Sequence, residues 1–191
     1  MAQCSTVRRP GPARRRRDRP ASRRAASPPG PRRAGSTGPA RKRRAAAPLP
    51  APRAWIGVVS RAHVLRGVAG GFAQLGHGKR QPLDRMAVGD WLVYYSPSTE
   101  LRGGVPLRAF TALGRVVGPR AYAFDMGGGF VPFRRDVAYE ADVREVPVAA
   151  LAPALHFVQR SASWGMLARR GHFEIDRHDL EVIRTAMRAA V

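Results

Sequence analysis

The stretch Trp55-Ile56-Gly57-Val58-Val59-Ser60 decides how the folded part of this 191-residue chain begins. Its first five residues are rich in aromatic and β-branched side chains, which favour a short β-strand. Ser60 is a good N-cap residue, and the glycines between Gly67 and Gly71 can end a helix. We therefore predict a strand followed at once by a helix.

Further strands and one more helix are predicted downstream of this unit. Trp91 to Ser96 is typical of a strand that is buried on both faces, and Phe110 to Val117 predicts a second strand. Within residues 133–146, apolar and polar side chains alternate over part of the run, which is the pattern of a strand with one face in water. Asp176 can cap a C-terminal helix. Strands between helices, without a repeat, predict an α+β fold, with a small curved sheet or pseudo-barrel flanked by helices.

The composition upstream of Trp55 is that of a tail. Residues 1–54 carry 16 basic and one acidic side chain, and the rest carries 18 and 12, so the net charges are +15 and +6. Ten of the 17 prolines lie there, and Phe, Tyr, Ile and Trp are missing. Such a segment buries too little apolar area to offset the entropy of ordering. We predict a disordered tail over residues 1–53 and a domain over residues 54–191.

Two interpretations of this tail stay open. The clusters Arg14 to Arg17 and Arg41 to Arg44 can bind nucleic-acid phosphates. GC-rich coding sequence also yields Arg, Ala, Pro and Gly, so a start codon assigned too far upstream would give the same residues. Because no apolar stretch follows the arginines, we expect no export signal.

Several function classes are excluded by what the sequence lacks. No apolar run approaches the roughly 18 residues of a membrane-spanning helix. The single Cys4 excludes a disulfide framework and cysteine-based metal sites, and it indicates a reducing, cytoplasmic location. No GxxxxGK[ST] or HExxH motif occurs, the five histidines lack ligand spacing, and Gly127-Gly128-Gly129 is predicted to be a turn. We expect no metal and no cofactor.

Aromatic and polar residues at the ends of predicted elements remain as candidates. Phe72 follows two glycines, Tyr94-Tyr95-Ser96 ends a strand, and Trp164 lies at a turn. Each residue alone is more typical of a core or a surface. Together they are the parts of a pocket for a flat ligand, with rings for stacking and polar groups for its edge.

The order of several motifs resembles the bacterial EVE-domain family over essentially residues 54–191. The motifs are Trp55-Ile56-Gly57-Val58-Val59-Ser60, Gly71-Phe72-Ala73-Gln74-Leu75-Gly76-His77-Gly78-Lys79, Pro82-Leu83-Asp84-Arg85-Met86, Gly89-Asp90-Trp91-Leu92-Val93-Tyr94-Tyr95-Ser96-Pro97, Ala109-Phe110-Thr111-Ala112-Leu113-Gly114, Pro132-Phe133-Arg134-Arg135-Asp136-Val137, Trp164-Gly165 and Phe173-Glu174-Ile175. The resemblance implies a PUA-like fold, a small β-barrel with helices, related to the YTH domains that bind a methylated adenine in RNA. EVE domains are thought to bind modified bases, often in DNA, in an aromatic pocket.

The resemblance also implies which residues form this pocket. Phe72 falls where the reader domains place an aromatic wall, Tyr95-Ser96 falls at another wall, and Trp164 matches the family's second Trp. Ser60 and Arg61 match the polar start of the first helix at the pocket rim.

Chemistry adds further candidates to these residues. Contact with one methyl group distinguishes a modified base from an unmodified one by only about 1 to 3 kcal/mol. Hydrogen bonds to the base edge must therefore identify the base. Gln74 and Ser96 are the candidates for those bonds. The basic residues that we expect to hold flanking phosphates are Lys79, Arg80, Arg134 and Arg135.

Three functional hypotheses follow from the sequence. The first is a non-catalytic, monomeric module that binds a modified nucleobase in DNA or RNA. The second is an enzyme acting on a nucleobase or nucleotide, with His77 or Asp136 as general acid or base. The third is a protein that binds nucleic acid through its basic tail alone. None of the three involves a membrane.

Overall fold

The computed structural model describes residues 51–161 and 163–189 as a mixed sheet with helices. Residues 1–50, and with them nearly all of the predicted tail, lie outside the described residues. No helix within the described ranges is long and apolar enough to cross a bilayer. The strands are β1 (Ala54–Val58), β2 (Phe72–Ala73), β3 (Trp91–Ser98), β4 (Pro106–Val116), β5 (Tyr122–Ala123), β6 (Phe133–Tyr139), β7 (Val146–Pro147) and β8 (His172–Ile175). The helices are α1 (Arg61–Gly70), α2 (Gln81–Asp84), α3 (Val148–Leu151), α4 (His156–Gln159), α5 (Trp164–Arg169) and α6 (Arg177–Arg188), with 3-10 turns at Gly76–Gly78 and Ala152–Ala154.

The sheet is built around β1. This strand pairs in parallel with β3, from Ala54 opposite Trp91 to Val58 opposite Tyr95, and antiparallel with β8. The strand order is β2-β6-β4-β3-β1-β8, with β5 paired to β6 and β7 paired to β4. Shifts of register between β3 and β4 bend these strands, so β4 pairs with β6 near one end and with β7 near the other. The predicted α+β fold, a small curved sheet flanked by helices, is confirmed.

Two apolar clusters cover the two faces of the central strands. Alternation along β1 and β3 places Trp55, Leu92 and Tyr94 in the cluster beside α1, and Ile56 and Val93 in the cluster beside α6. Because both faces are covered, Trp91 to Ser96 of β3 are all buried, as the sequence predicted. The α6 side chains buried in the second cluster are Leu180, Ile183 and Met187.

The helix boundaries agree with the sequence pattern, and one strand does not. α1 begins after Ser60 and ends at Gly71, which adopts the left-handed conformation (φ 66°). The Asp176 side chain accepts a hydrogen bond from the backbone N–H of Asp179 and caps α6, as predicted. The alternating run that predicts a strand within residues 133–146 continues beyond the strand that forms. β6 ends at Tyr139 and β7 begins at Val146, with a left-handed residue, Asp142 (φ 57°), between them.

Candidate functional site

The outer face of β2 and β6 brings together residues that are far apart in the sequence. Alternation turns Ala73 into the apolar cluster beside α1 and leaves Phe72 and Gln74 on the opposite side, where Phe72 is partly exposed and Gln74 is buried. Phe72 lies opposite Asp136 in the pairing of β2 with β6, next to Arg134. The Phe72 carbonyl oxygen accepts a hydrogen bond from the Tyr139 hydroxyl (2.9 Å), which holds β2 in place.

The guanidinium of Arg134 lies between two aromatic rings. Its Cζ atom is 3.8 Å from the ring centroid of Phe72 and 3.6 Å from that of Phe124, which follows β5. The Nε–H of Arg134 donates to Oε1 of Gln74 (3.1 Å). We call this arrangement of Phe72, Phe124, Arg134 and Gln74 the aromatic slot. In it, one flat group contacts the faces of two rings and hydrogen-bonds with a side-chain amide.

Burial changes the charge behaviour of the groups beside the slot. Desolvation lowers the pKa of Arg134. Burial likewise lowers the pKa of His63, and the charges of Arg66 and Arg134 add to this effect. Nε2 of His63 lies 3.1 Å from the carbonyl oxygen of Gln74, so at pH 7 the neutral ring donates this hydrogen bond. The slot therefore combines one cation, two aromatic faces and one amide, which suits binding of a planar group.

The loop from Gly76 to Arg80 lies beside the slot. A Cβ on Gly78 would be 2.5 Å from Cβ of Pro132 and 3.4 Å from the Phe130 ring, so the backbone of this loop packs against the segment that carries Phe124. Lys79 and Arg80 are exposed, and Arg80 forms an ion pair with Asp84 (2.9 Å). Both cations are placed where a polyanion next to the slot can reach them.

Arg135 does not belong to the predicted phosphate contacts, and this expectation is corrected. Its side chain is buried, and Nη1 donates to the carbonyl oxygens of Leu83 (2.7 Å) and Met86 (2.6 Å). Nε donates to Gly118 (3.0 Å) and Nη2 to Pro119 (3.3 Å). With every donating nitrogen engaged, Arg135 ties two loops to β6 and has no group left for a phosphate.

Tyr95 and Trp164 are not part of the aromatic slot. Tyr95 lies on β3, which β6 and β4 separate from β2, and its ring packs edge-on against Trp164 (5.3 Å) and Phe110 (6.3 Å). No aromatic contact among the described residues joins either side chain to Phe72. They line a separate open groove of about 640 Å³. The other residues lining this groove are Val58, Pro97, Arg108, Gly165, Ala168 and Arg169. The predicted single pocket is thus divided into two sites.

The remaining predicted residues are engaged elsewhere. Ser96 is fully buried, and its hydroxyl hydrogen-bonds with that of Thr111 (2.8 Å), so it does not offer a free group to a base edge. Arg61 forms an ion pair with Glu145. Ser60 is buried at the start of α1. Of the residues that the sequence proposed for the pocket, Phe72 and Gln74 lie in the slot, and Arg134, expected as a phosphate contact, joins them there.

The second wall of the slot, Phe124, was missed by the sequence analysis. Residues 127–129 form the predicted turn, with all three glycines at positive φ, between 62° and 82°. This turn reverses the chain so that Phe124 pairs with Pro132, its N–H donating to the carbonyl oxygen (2.9 Å). The alternation of Tyr122 and Phe124 before the glycines was the available signal, because it indicates a strand with an aromatic face.

The other polar cluster of the described residues caps helices. His156 and His178 stack at 4.1 Å, and they form, with Asp179, the group whose atoms are close enough to hold a metal ion. Both carboxylate oxygens of Asp179 already accept backbone N–H groups, from His156 (2.6 Å) and Phe157 (3.0 Å). This arrangement satisfies the start of α4 without an ion. No hydrogen bond among the described residues joins His77 to Asp136, the acid–base candidates of the enzyme hypothesis.

Comparisons with known proteins give sequence relatives and more distant structural ones. The family model described as "EVE domain" matches residues 53–186. A UPF0310 protein of Mycolicibacterium gilvum is 49% identical over 133 residues, which cover 70% of this chain and 94% of that protein. UPF0310 protein YdcG of Bacillus subtilis is 47% identical over 133 residues, covering 70% and 90%. A solved structure of human THYN1 in complex with DNA containing 5-methylcytosine covers 73% of this chain and 99% of that chain, with 12% identity and a TM-score of 0.44.

Proposed function

The chain belongs to the EVE-domain family, and on that premise we propose that it is a non-catalytic module that binds nucleic acid and holds one modified base between Phe72 and Phe124. The observation that carries this proposal is the position of the Arg134 guanidinium, a flat group with an aromatic ring on each side. A nucleobase is also flat, and it stacks on such rings.

Stacking between two rings offsets the cost of removing a base from its neighbours. Base–aromatic stacking contributes about 1 to 3 kcal/mol per base, and unstacking costs a few kcal/mol. Arg134 occupies the space that the base would take, so it has to move out as the base enters. In the structure, Oε1 of Gln74 accepts a hydrogen bond from Arg134. When Arg134 moves out, this oxygen becomes free. The amide of Gln74 then offers one acceptor and two donors to the base edge.

Recognition of a methyl group is assigned to the apolar side of the slot. Phe124 donates a backbone hydrogen bond to Pro132, and Pro132 packs over Gly78. A methyl group against this surface contributes about 1 to 3 kcal/mol of discrimination. Gln74 therefore selects the type of base, and the apolar lining adds preference for its modified form.

The flanking phosphates are assigned to the exposed cations near the slot. Lys79 and Arg80 follow Gly78, and Arg66 is exposed on α1 one turn beyond His63. Phosphate contacts position a nucleic acid without reading its sequence. Once displaced by the base, Arg134 is a further cation available to the backbone.

The test is fluorescence anisotropy with single-stranded DNA oligonucleotides that contain one 5-methylcytosine, one N6-methyladenine or no modification. We expect Phe72→Ala and Phe124→Ala each to weaken binding of the preferred oligonucleotide by roughly ten- to a hundredfold, because one stacking face is lost. Leu101→Ala, which truncates an exposed side chain in the β3–β4 loop (76% exposed), is the matched control and should bind like the parent.

Two results would contradict the proposal in different ways. Unchanged affinity of both Phe variants, at an unchanged thermal midpoint, would remove the slot as the binding site. Equal affinity of the parent for modified and unmodified oligonucleotides would leave base binding in place and reject recognition of the modification.

A further inference from the structure

The segment from Tyr122 to Val131, which we call the apolar hairpin, exposes large apolar side chains to solvent. Within these ten residues, the fractional exposure is 42% for Phe124 and 48% each for Met126, Phe130 and Val131. A cluster of such residues on one short segment is rare on a soluble surface and marks an interaction site.

The apolar hairpin is held in one conformation by its own hydrogen bonds. The N–H of Met126 donates to the carbonyl oxygen of Phe130 (3.0 Å), and that of Phe130 donates to Gly127 (3.1 Å). The carboxylate of Asp125 accepts from the N–H of Gly127 (2.8 Å) and closes the turn. Met126 and Phe130 are therefore paired across the hairpin, two residues further towards its tip than the slot residue Phe124.

The charges around the hairpin favour a polyanionic partner. Asp125 is the acidic residue of the segment, and its carboxylate faces the turn backbone. Lys79 and Arg80 lie on the loop that packs under Phe130 and Pro132, and Arg120 is exposed just before β5. An apolar tip between cations suits a base stack between two phosphate backbones, where an inserted apolar side chain replaces lost stacking.

We propose that the apolar hairpin is a wedge that inserts Met126 and Phe130 into the base stack of a double-stranded nucleic acid, at the gap left by the base in the aromatic slot. This inference rests on the proposed function, because the gap exists only if a base leaves the stack. A base extruded from a duplex costs both pairing and stacking energy, whereas a single strand needs no wedge. The natural ligand of the slot is accordingly a duplex.

The experiment compares a duplex with its single strand at one salt concentration. Both contain one 5-methylcytosine with 2-aminopurine as its neighbour, whose fluorescence rises when it unstacks. The full chain is tested with the double substitution Met126→Ser/Phe130→Ser. Leu101→Ser/Val105→Ser is the matched control, because it removes two exposed apolar side chains (76% and 64%) from the β3–β4 loop.

We expect the parent and the control to bind the duplex with a rise in fluorescence. The hairpin variant should bind the duplex at least about tenfold more weakly, without that rise, and keep its affinity for the single strand. An equal loss of affinity for the duplex and the single strand, or no loss for either, would overturn the wedge proposal. So would a parent that does not bind the duplex. Failure of the proposed function has a different signature, since Phe72→Ala would then bind the single strand like the parent.

Discussion

Arg134 and Arg135 are adjacent in the sequence and have opposite roles in the structure. Strand alternation sends Arg134 outward to the aromatic slot and Arg135 inward to four backbone carbonyls. A pair of arginines in a sequence is typical of a charged surface, so both were expected to contact phosphates. Only the register of β6 against β2 and the path of two loops distinguishes them.

Replacing Arg135 by Leu should lower the free energy of unfolding by about 3 kcal/mol or more. The substitution leaves buried carbonyl oxygens without donors, and each costs about 1 to 3 kcal/mol. Arg135→Lys should not restore stability, because one ammonium cannot reach the acceptors of a planar guanidinium. Urea denaturation measures both effects. Arg80→Leu, which removes an exposed ion pair with Asp84, should change stability by less than about 1 kcal/mol. A similarly small loss for Arg135→Leu would contradict its role.

His172 should make stability depend on pH. Its ring stacks on Trp55 (4.7 Å), and neither ring nitrogen has a hydrogen-bond partner among the described residues. Burial, with a smaller contribution from the charge of Arg85, lowers its pKa to about 4 from an ordinary 6.5. As the pH falls, His172 is therefore protonated in the unfolded chain before it is protonated in the folded one. Its contribution to the free energy of unfolding is fully present above pH 6.5 and is lost as the pH decreases towards 4.

The expected size of this loss is about 3 kcal/mol. Urea denaturation of the parent and of His172→Phe at several pH values measures it, because the difference between the two proteins cancels the other titrating groups. The parent should lose this stability relative to the variant between pH 6.5 and 4. Parallel pH profiles would mean that the pKa of His172 is the same in the folded and the unfolded chain.

The long elements were predictable from the sequence, and the short ones were not. β1 and β3 have apolar runs, α1 has signals at its two ends, and α6 has both an apolar face and a cap, and all of these act locally. The two-residue strands β2, β5 and β7 lack any period and exist because a longer strand pairs with them. The site shows the same division. Phe72 and Gln74 follow a recognisable motif, whereas Phe124 reaches them only through the pairing of β5 with β6.

Tyr95, towards the end of β3, is a predicted site residue that the structure places in packing contacts instead. The sequence assigned it to a pocket wall, but in β3 it is 6% exposed and packs between Phe110 and Trp164. Tyr95→Ala should therefore lower the free energy of unfolding by about 3 to 5 kcal/mol, as for other large aromatic core residues. Its folded fraction should bind the modified oligonucleotide like the parent. Thermal melts and anisotropy measure the two properties, and a stable variant with weakened binding would return Tyr95 to the binding site.

The charge of the whole chain is divided unevenly between residues 1–50 and the described domain. Residues 1–50 carry 15 basic and one acidic side chain, and the rest carries 19 and 12, so the net charges are +14 and +7. Each phosphate contact made by a basic residue adds to the salt dependence of binding. In the proposed function, the described domain selects the base, and we assign non-specific affinity to the N-terminal arginines.

Deleting residues 1–50 should separate these two contributions. We expect a shallower dependence of log Kd on log salt concentration, because fewer counterions are released. The ratio of affinities for modified and unmodified oligonucleotides should stay the same. Anisotropy titrations at several salt concentrations measure both quantities. Equal slopes would show that the N-terminal arginines make no phosphate contacts, and loss of the ratio would place base recognition outside the slot.

Recognition of a modified base by the aromatic slot is tested most directly by mass spectrometry of nucleosides. Fragmented genomic DNA and total RNA are passed over the immobilised full chain and over its Phe72→Ala variant, and the retained material is digested and compared with the input. We predict that the parent enriches one modified nucleoside and that Phe72→Ala does not. Retained material with the nucleoside composition of the input, or equal enrichment by both proteins, would contradict the account.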